Sequence, residues 1–449
     1  MKINKYTAVL AALGIVSLAS VAQAANPVVY LTGSTAARTL VAKAMLTPGA
    51  IFDGSSIPSI VSPSPNNTST GTLVVFEGPI GGTTVDISCS WNGSEAGLGS
   101  LAGGTVINPA NGAPLPGSPA SFLTSAAPVW TTTSVEQGDL AMADTSKAVS
   151  LNPNVNYTIA QEVGIVPFTI MKGYVKTPDT GGGYSELNNV TAANMNVAVA
   201  GFTPVSAFTG DSSDSDFVGV CGRNAGSGTR VNALLNFLYP VGVGVTQYAY
   251  GYYPTATPNL LTFGFSGSTT ANEYVGANYT IAGTDASDVG DDGFDSGGNV
   301  ANSLQVDATG ATLDGVNGFL IGYLGMSDAK TAAIGTAGAG SGSAVYLSFN
   351  GVYESDAGVE YGSYTYWGGE HLYGKPGLST SSEAYTVANL LDGASTGLNK
   401  AMSLSSGAVT TNFVAGACPG DVRTTSQSVL IPLGSMQVTR GGDGGFPTP

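Results

Sequence analysis

The sequence predicts an α/β fold, and three observations carry that expectation. A short apolar strand, a turn of small residues and a helix start recur together three times. The turns are Gly33-Ser34-Thr35, Gly93-Ser94-Glu95 and Gly226-Ser227-Gly228-Thr229. Strands that alternate with helices favour sheets covered by helices. With 449 residues, 43% of them hydrophobic, the chain also has the material for two lobes around a sizeable core.

The elements follow in order. Residues 1–24 combine a basic start, Lys2 and Lys5, with an apolar run ending in Ala22-Gln23-Ala24. This is the pattern of a secretory signal peptide cleaved after Ala24. No later run reaches the ~18 apolar residues of a membrane span. The expectation is a soluble, periplasmic or secreted protein. "PVVYL" reads as a buried strand, followed by a helix with Ala37, Leu40, Val41 and Ala44 on one face. Pro48 and Gly49 stop it. "VDISCSW" alternates Val85, Ile87, Cys89 and Trp91 on one strand face. Residues 102–134, rich in Gly, Pro, Ser and Thr, read as an inserted loop. "GDLAMADTSKA" is a short strand ending at Asp144, and "EVGIVPFTIMKG" is a buried strand suited to crossing between lobes. "DFVGVCG" is a strand, and Val231, Leu234, Leu235 and Leu238 form a helical stripe ended by Pro240. "NGFLIGYLGMSDA" returns to strand character, and "RGGDGGFPTP" reads as a flexible tail.

Composition excludes several functions. The net charge is −16, and loss of Lys2 and Lys5 with the leader takes it to −18. Nucleic acid is excluded as a partner, because backbone binding needs clustered Lys and Arg. Such a charge also repels small anions at long range, so an anion site here must work through local donors. With Cys89, Cys221, Cys418 and a single histidine, His371, there is almost no material for a zinc site. Free buried thiols are the default reading of the cysteines. The acidic run with Asp285, Asp288, Asp291, Asp292 and Asp295 lacks EF-hand spacing, and it reads, like "DSSDSD" at 211–216, as a solvated loop. His371 has no nucleophile elbow near it in sequence, so a hydrolase is not expected.

The three turns are the chemically suggestive feature. A helix N-terminus presents unpaired N–H groups and partial positive charge, which together hold anions without net positive protein charge. The ordinary alternative is that each turn is only a helix cap. Arg223, three residues before Gly226, adds a planar fork for two oxyanion oxygens.

Here "RNAGSGTR" resembles the R-x-x-G-S-G-T signature of periplasmic phosphate-binding proteins of ABC transporters. "LTGSTAA" resembles the family's first ligand loop, shortened by about two residues, and "WNGSEAGLGSL" resembles its Gly-Ser-Ser-Gly-Gly segment. "DLAMADTSKA", "LNNVTAANMN", "IGYLGMSDA" and "YTYWGGEHLY" are similar to further landmarks, in family order. The resemblance implies the two-lobed type II periplasmic binding protein fold. Residues 25–165 and 345–449 would form one lobe and 166–344 the other. It implies phosphate contacts from Ser34, Thr35, Ala36, Ser94, Asp144, Arg223, Ser227, Gly228 and Thr229. It implies a monomer that delivers phosphate to a membrane permease, with no cofactor, no metal and no enzymatic step. Two departures stand out. Glu95 replaces a small residue and would weaken binding if it faced the ligand, and Ala143 replaces a serine. Asp144 accepts hydrogen bonds only, so it would favour a protonated phosphate over sulfate. The competing expectation is a Gly/Ser/Thr-rich secreted or surface structural protein, in which Ser94, Asp144 and Arg223 would share no cleft.

Overall fold

The computed structural model describes residues 25–54, 58–61, 71–104, 120–126, 129–201, 203–252, 259–263, 280–281, 289–290, 293–313, 315–335, 342–403 and 430–448. The signal-peptide segment, Cys418, Asp285, Asp288, Asp291 and Asp292 lie outside them. The fold is α/β, built on a large mixed sheet.

One half of the sheet gathers around β1 (Val28–Gly33). It pairs in parallel with β3 (Thr83–Ser90) on one side and with β6 (Leu140–Ala143) on the other. β2 (Leu73–Ile80) runs antiparallel along β3. The hairpin β4 (Ser121–Ala126) and β5 (Val129–Val135) stands where the sequence suggested a loop. Its many Ser and Thr residues hide the strand signal, but the Phe122 ring packs tilted against Tyr30 at 4.9 Å, and Ser88 donates to Leu123 O. Both faces of β3 from Val85 onward are therefore buried, beyond the single face its alternation predicts.

β7 (Ile159–Lys172) joins the halves. Its residues 159–167 pair antiparallel with β13 (Trp367–Gly374), which pairs in turn with β6. Its residues 168–172 pair with β11 (Val316–Gly325), and residues 170–172 also pair with β12 (Val345–Phe349). β8 (Phe217–Cys221) runs parallel to β11. Where the halves meet, Tyr366 is surrounded by Phe168, Phe237 and Phe349, at ring distances of 5.4–5.7 Å. Such large buried rings dominate core energetics.

Four helices bear on the site: α1 (Arg38–Leu46), α2 (Ser94–Leu101), α3 (Gly228–Asn236) and α4 (Met326–Ile334). The predicted face of α1 is buried. The α3 stripe ends early, because Leu238 takes a left-handed φ of 58° outside the helix, where it is exposed, while Phe237 fills the core. Cys89 and Cys221 are free and buried. Asp214 and Asp216 are not solvated as expected but buried, with Thr209 Oγ1 donating to Asp214 at 2.5 Å.

The C-terminal segment is docked, contrary to the expectation of a flexible tail. Arg440 lies 3.7 Å over the Trp367 ring and donates to the carbonyls of Trp367 and Thr365. Asp443 accepts from Ser146 N at 2.6 Å. A cation stacked on a distant indole has no local sequence signature.

Candidate functional site

The parallel strands β1, β3 and β6 all point their C-terminal ends at one place, where ligands of open α/β sheets bind. The three turns interlock there. Ser34 N donates to Met142 O at 2.7 Å, Gly93 N to Gly33 O at 3.0 Å, and Glu95 N to Gly226 O at 3.1 Å. The last bond ties the first half of the sheet to the second. Gly93 has a φ of 104°, and a Cβ on it would strike the Gly226 carbonyl.

Asp144, 1% exposed, sits at the centre. Its Oδ1 accepts from Ser94 Oγ and its Oδ2 from Thr229 Oγ1 at 3.2 Å, while Asp144 N donates back to Ser94 Oγ at 3.2 Å. Asn232 of α3 donates to the Asp144 carbonyl. A Cβ at Gly228 would collide with the Asp144 carboxylate, so only glycine admits this approach at the start of α3. Burial pushes the Asp144 carboxyl up from its usual range, against the Ser94 hydrogen bond and the Arg223 charge, which favour ionisation.

Arg223 is 2% exposed and comes from the second half. Its Nε donates to Phe294 O at 3.3 Å and its Nη2 to Asp295 O at 2.7 Å. Its Nη1 reaches across to Thr35 Oγ1 at 3.3 Å. A guanidinium carries five N–H donors, so two remain. Burial lowers the Arg223 pKa, opposed by Asp328, then Asp144 and Asp295.

The predicted residues thus divide. Thr35, Ser94, Asp144, Arg223, Gly228 and Thr229 are brought together. Ser227, 2% exposed, precedes α3, and its hydroxyl makes no capping bond. Ser34 is beside them, but its hydroxyl donates to Glu370 Oε2 at 3.3 Å. Ala36 packs against the hydrophobic core with its methyl, so a role for it would fall to its backbone.

Glu95 does not face this centre. It is fully buried and turned into the loop after Asp144, where it accepts from Thr145 Oγ1 at 2.8 Å, Ser150 Oγ at 2.9 Å and Leu151 N at 2.7 Å. The weakening expected from a ligand-facing carboxylate has no structural basis.

Sequence reasoning missed three groups. Glu370 is fully buried on β13. Arg38, at the start of α1, has no partner for its Nε among the described residues and shares the field of Asp328 with Arg223. Arg230, 3% exposed, donates to the Arg223 carbonyl at 3.4 Å. The "GTR" after the turn was a signal for Arg230; nothing local marked the others.

A separate cavity of about 410 Å3 lies under the C-terminal segment, with Glu162, His371, Arg440 and Asp443 in its wall. His371 stacks on Tyr373 at 5.8 Å. Among the described residues no group of three or more His, Cys, Asp or Glu is placed to hold a metal ion. No helix among them is long and apolar enough to cross a membrane.

No known family profile matches the chain, and no curated protein does. Three solved structures are similar to it. A putative phosphate ABC transporter substrate-binding protein with bound phosphate, from Clostridium perfringens, is 13% identical, with 84% of this chain and 96% of that one covered and a TM-score of 0.39. An ABC-type phosphate transport receptor from Vibrio cholerae is 9% identical over 84% and 97%, with a TM-score of 0.37. PstS from Borrelia burgdorferi is 11% identical over 82% and 92%, with a TM-score of 0.30.

Proposed function

We propose that the chain is an extracytoplasmic solute-binding protein that captures inorganic phosphate and passes it to an ABC transporter permease. The two lobes would be residues 25–165 with 345–449, and 166–344, hinged at β7. The carrying observation is that Arg223, from one half of the sheet, reaches Thr35 of the other. Asp144 is held between Ser94 and Thr229 at the same junction. A structural protein gives no reason to bury a guanidinium and a carboxylate at the meeting of three helix starts.

The hydrogen-bond inventory suggests how the ligand is chosen. Ser94 and Thr229 each give their single hydroxyl proton to Asp144. An arriving oxyanion takes those protons over, together with the first-turn N–H groups of α3 and the two remaining donors of Arg223. Asp144 then needs a new donor. A protonated phosphate brings one; sulfate brings none, and leaves a buried carboxylate unpaired at a cost of several kcal/mol. Calorimetric titration with phosphate, arsenate and sulfate tests this. Phosphate and arsenate are expected to bind, and sulfate at least about a hundredfold more weakly, the ratio of roughly 3 kcal/mol. Equal phosphate and sulfate affinities would overturn the role of Asp144; no anion binding would overturn the function.

A further inference from the structure

Among the described residues, Glu370 is the one carboxyl group at this site with neither a cation nor a full set of donors. Its Oε2 accepts from Ser34 Oγ, and its Oε1 has no hydrogen-bond partner among the described residues. The surroundings offer no compensation. Asp144 directly follows the end of β6, and the turn after β1 contributes Ser34. β7 places Gly164 opposite it, and the Glu162 and His371 pair follows a break in the register after Glu370. Tyr373 lies on its own strand. The helix over this strand, Glu383–Asp392, buries Ala384, Val387, Ala388 and Leu391. From α3, Asn232 crowds Gly368, two residues before Glu370. Arg223 and Arg38 lie in the field of Asp328, and neither is among the charges that act on Glu370. Taking an isolated carboxylate out of water is so costly that the group neutralises instead. Burial, and then the Asp144 charge, both push this carboxyl well above its usual range.

We propose that Glu370 is a positioning residue that makes the anion site pH-responsive: it works as a neutral carboxylic acid that fixes Ser34, and its ionisation weakens anion binding. The proposal rests on the anion-site reading above. Neutral Glu370 leaves Asp144 as the carboxylate meeting the ligand. Ionised Glu370 sets a second negative charge beside the anion. Binding an anion must then raise the Glu370 pKa further, and by linkage affinity falls as pH rises through that range. Phosphate selection and pH response would thus be divided between two carboxyls, Asp144 reading the proton on the ligand and Glu370 the proton in solution.

The test is calorimetric titration with inorganic phosphate at pH 6 to 9.5, for the wild type and Glu370→Gln. The amide mimics the neutral acid in shape and cannot ionise. At pH 6 both are expected to bind phosphate, and by pH 9.5 the wild type is expected to have lost about tenfold more of its own pH 6 affinity than Glu370→Gln has of its own, one pK unit of linkage. The second ionisation of phosphate affects both alike and cancels in the comparison. Parallel profiles, or loss of binding by Glu370→Gln at pH 6, would overturn the proposal. Melting curves without phosphate distinguish its failure from failure of the functional reading. A carboxyl raised in the folded state contributes stability at low pH that is lost as pH rises through its folded pKa. The wild type should therefore melt progressively lower toward pH 9.5, and Glu370→Gln should lose less. If wild type never binds phosphate but the melts diverge this way, the functional reading fails while Glu370 is still the neutral acid described. A wild-type melting temperature that is flat or rises with pH overturns the proposal even if Glu370→Gln does not fold.

Discussion

The two halves of the sheet meet at one point with opposite chemistry. The first half brings Asp144 and Glu370, fully buried carboxyls, together with the hydroxyls of Thr35 and Ser94. The second brings Arg223, Arg230 and the start of α3. The first side supplies the two carboxyls that face the junction, with Arg38 behind them, and the second supplies Arg223, Arg230 and first-turn N–H groups, with Asp328 behind them. On the proposed function, this arrangement is how a chain of net charge −16 would hold an anion. The positive potential is confined to a desolvated junction, where a hydrogen bond to a charged group is worth about twice a neutral one. Joining the halves joins the two parts of the site.

The largest effect is expected at the positive side. Arg223→Ala should weaken phosphate binding by about 2–5 kcal/mol, because it removes a charged fork and leaves ligand charge unpaired. Arg223→Lys should recover only part of this, since an ammonium lacks the two-pronged geometry. Titration of both variants gives the order; an unaltered affinity in Arg223→Ala would break the comparison. On the acceptor side, Glu95→Ala separates architecture from binding. It strands the donors Thr145, Ser150 and Leu151 N, so thermal or urea unfolding should show about 2–4 kcal/mol of lost stability. Phosphate affinity in its folded fraction should change little. The smallest effect is a change of ratio: Asp144→Asn offers an N–H, and should narrow the phosphate-to-sulfate gap by about tenfold, or 1.4 kcal/mol.

What the sequence made legible was local. A turn of Gly, Ser and Thr before a helix is written in consecutive residues, so the helix starts at Ser94 and Gly228 were readable, as was Arg223 beside the second. Asp144 could be read because it directly follows a short strand. Glu370 could not. It lies in "WGGEHLY", where nothing local marks a buried carboxyl, and its partner Ser34 is 336 residues away. The direction of Glu95 was equally hidden, since a helix start does not say whether its second residue faces the ligand or the loop behind. Arg440 and Trp367 pair through space, so the segment that reads as a tail is instead a docked strap. Polarity concealed the 121–135 hairpin, whose apolar anchors are few and irregularly spaced.

The central claim is that groups from both halves hold the same anion. A double-mutant cycle across the junction measures this directly, with phosphate affinity determined for wild type, Ser94→Ala, Arg223→Ala and the double variant. If both groups touch one ligand, the losses should fail to add, with a coupling of about 1 kcal/mol or more. Losses that add within about 0.5 kcal/mol would mean that Ser94 and Arg223 serve no common anion, and would contradict the account.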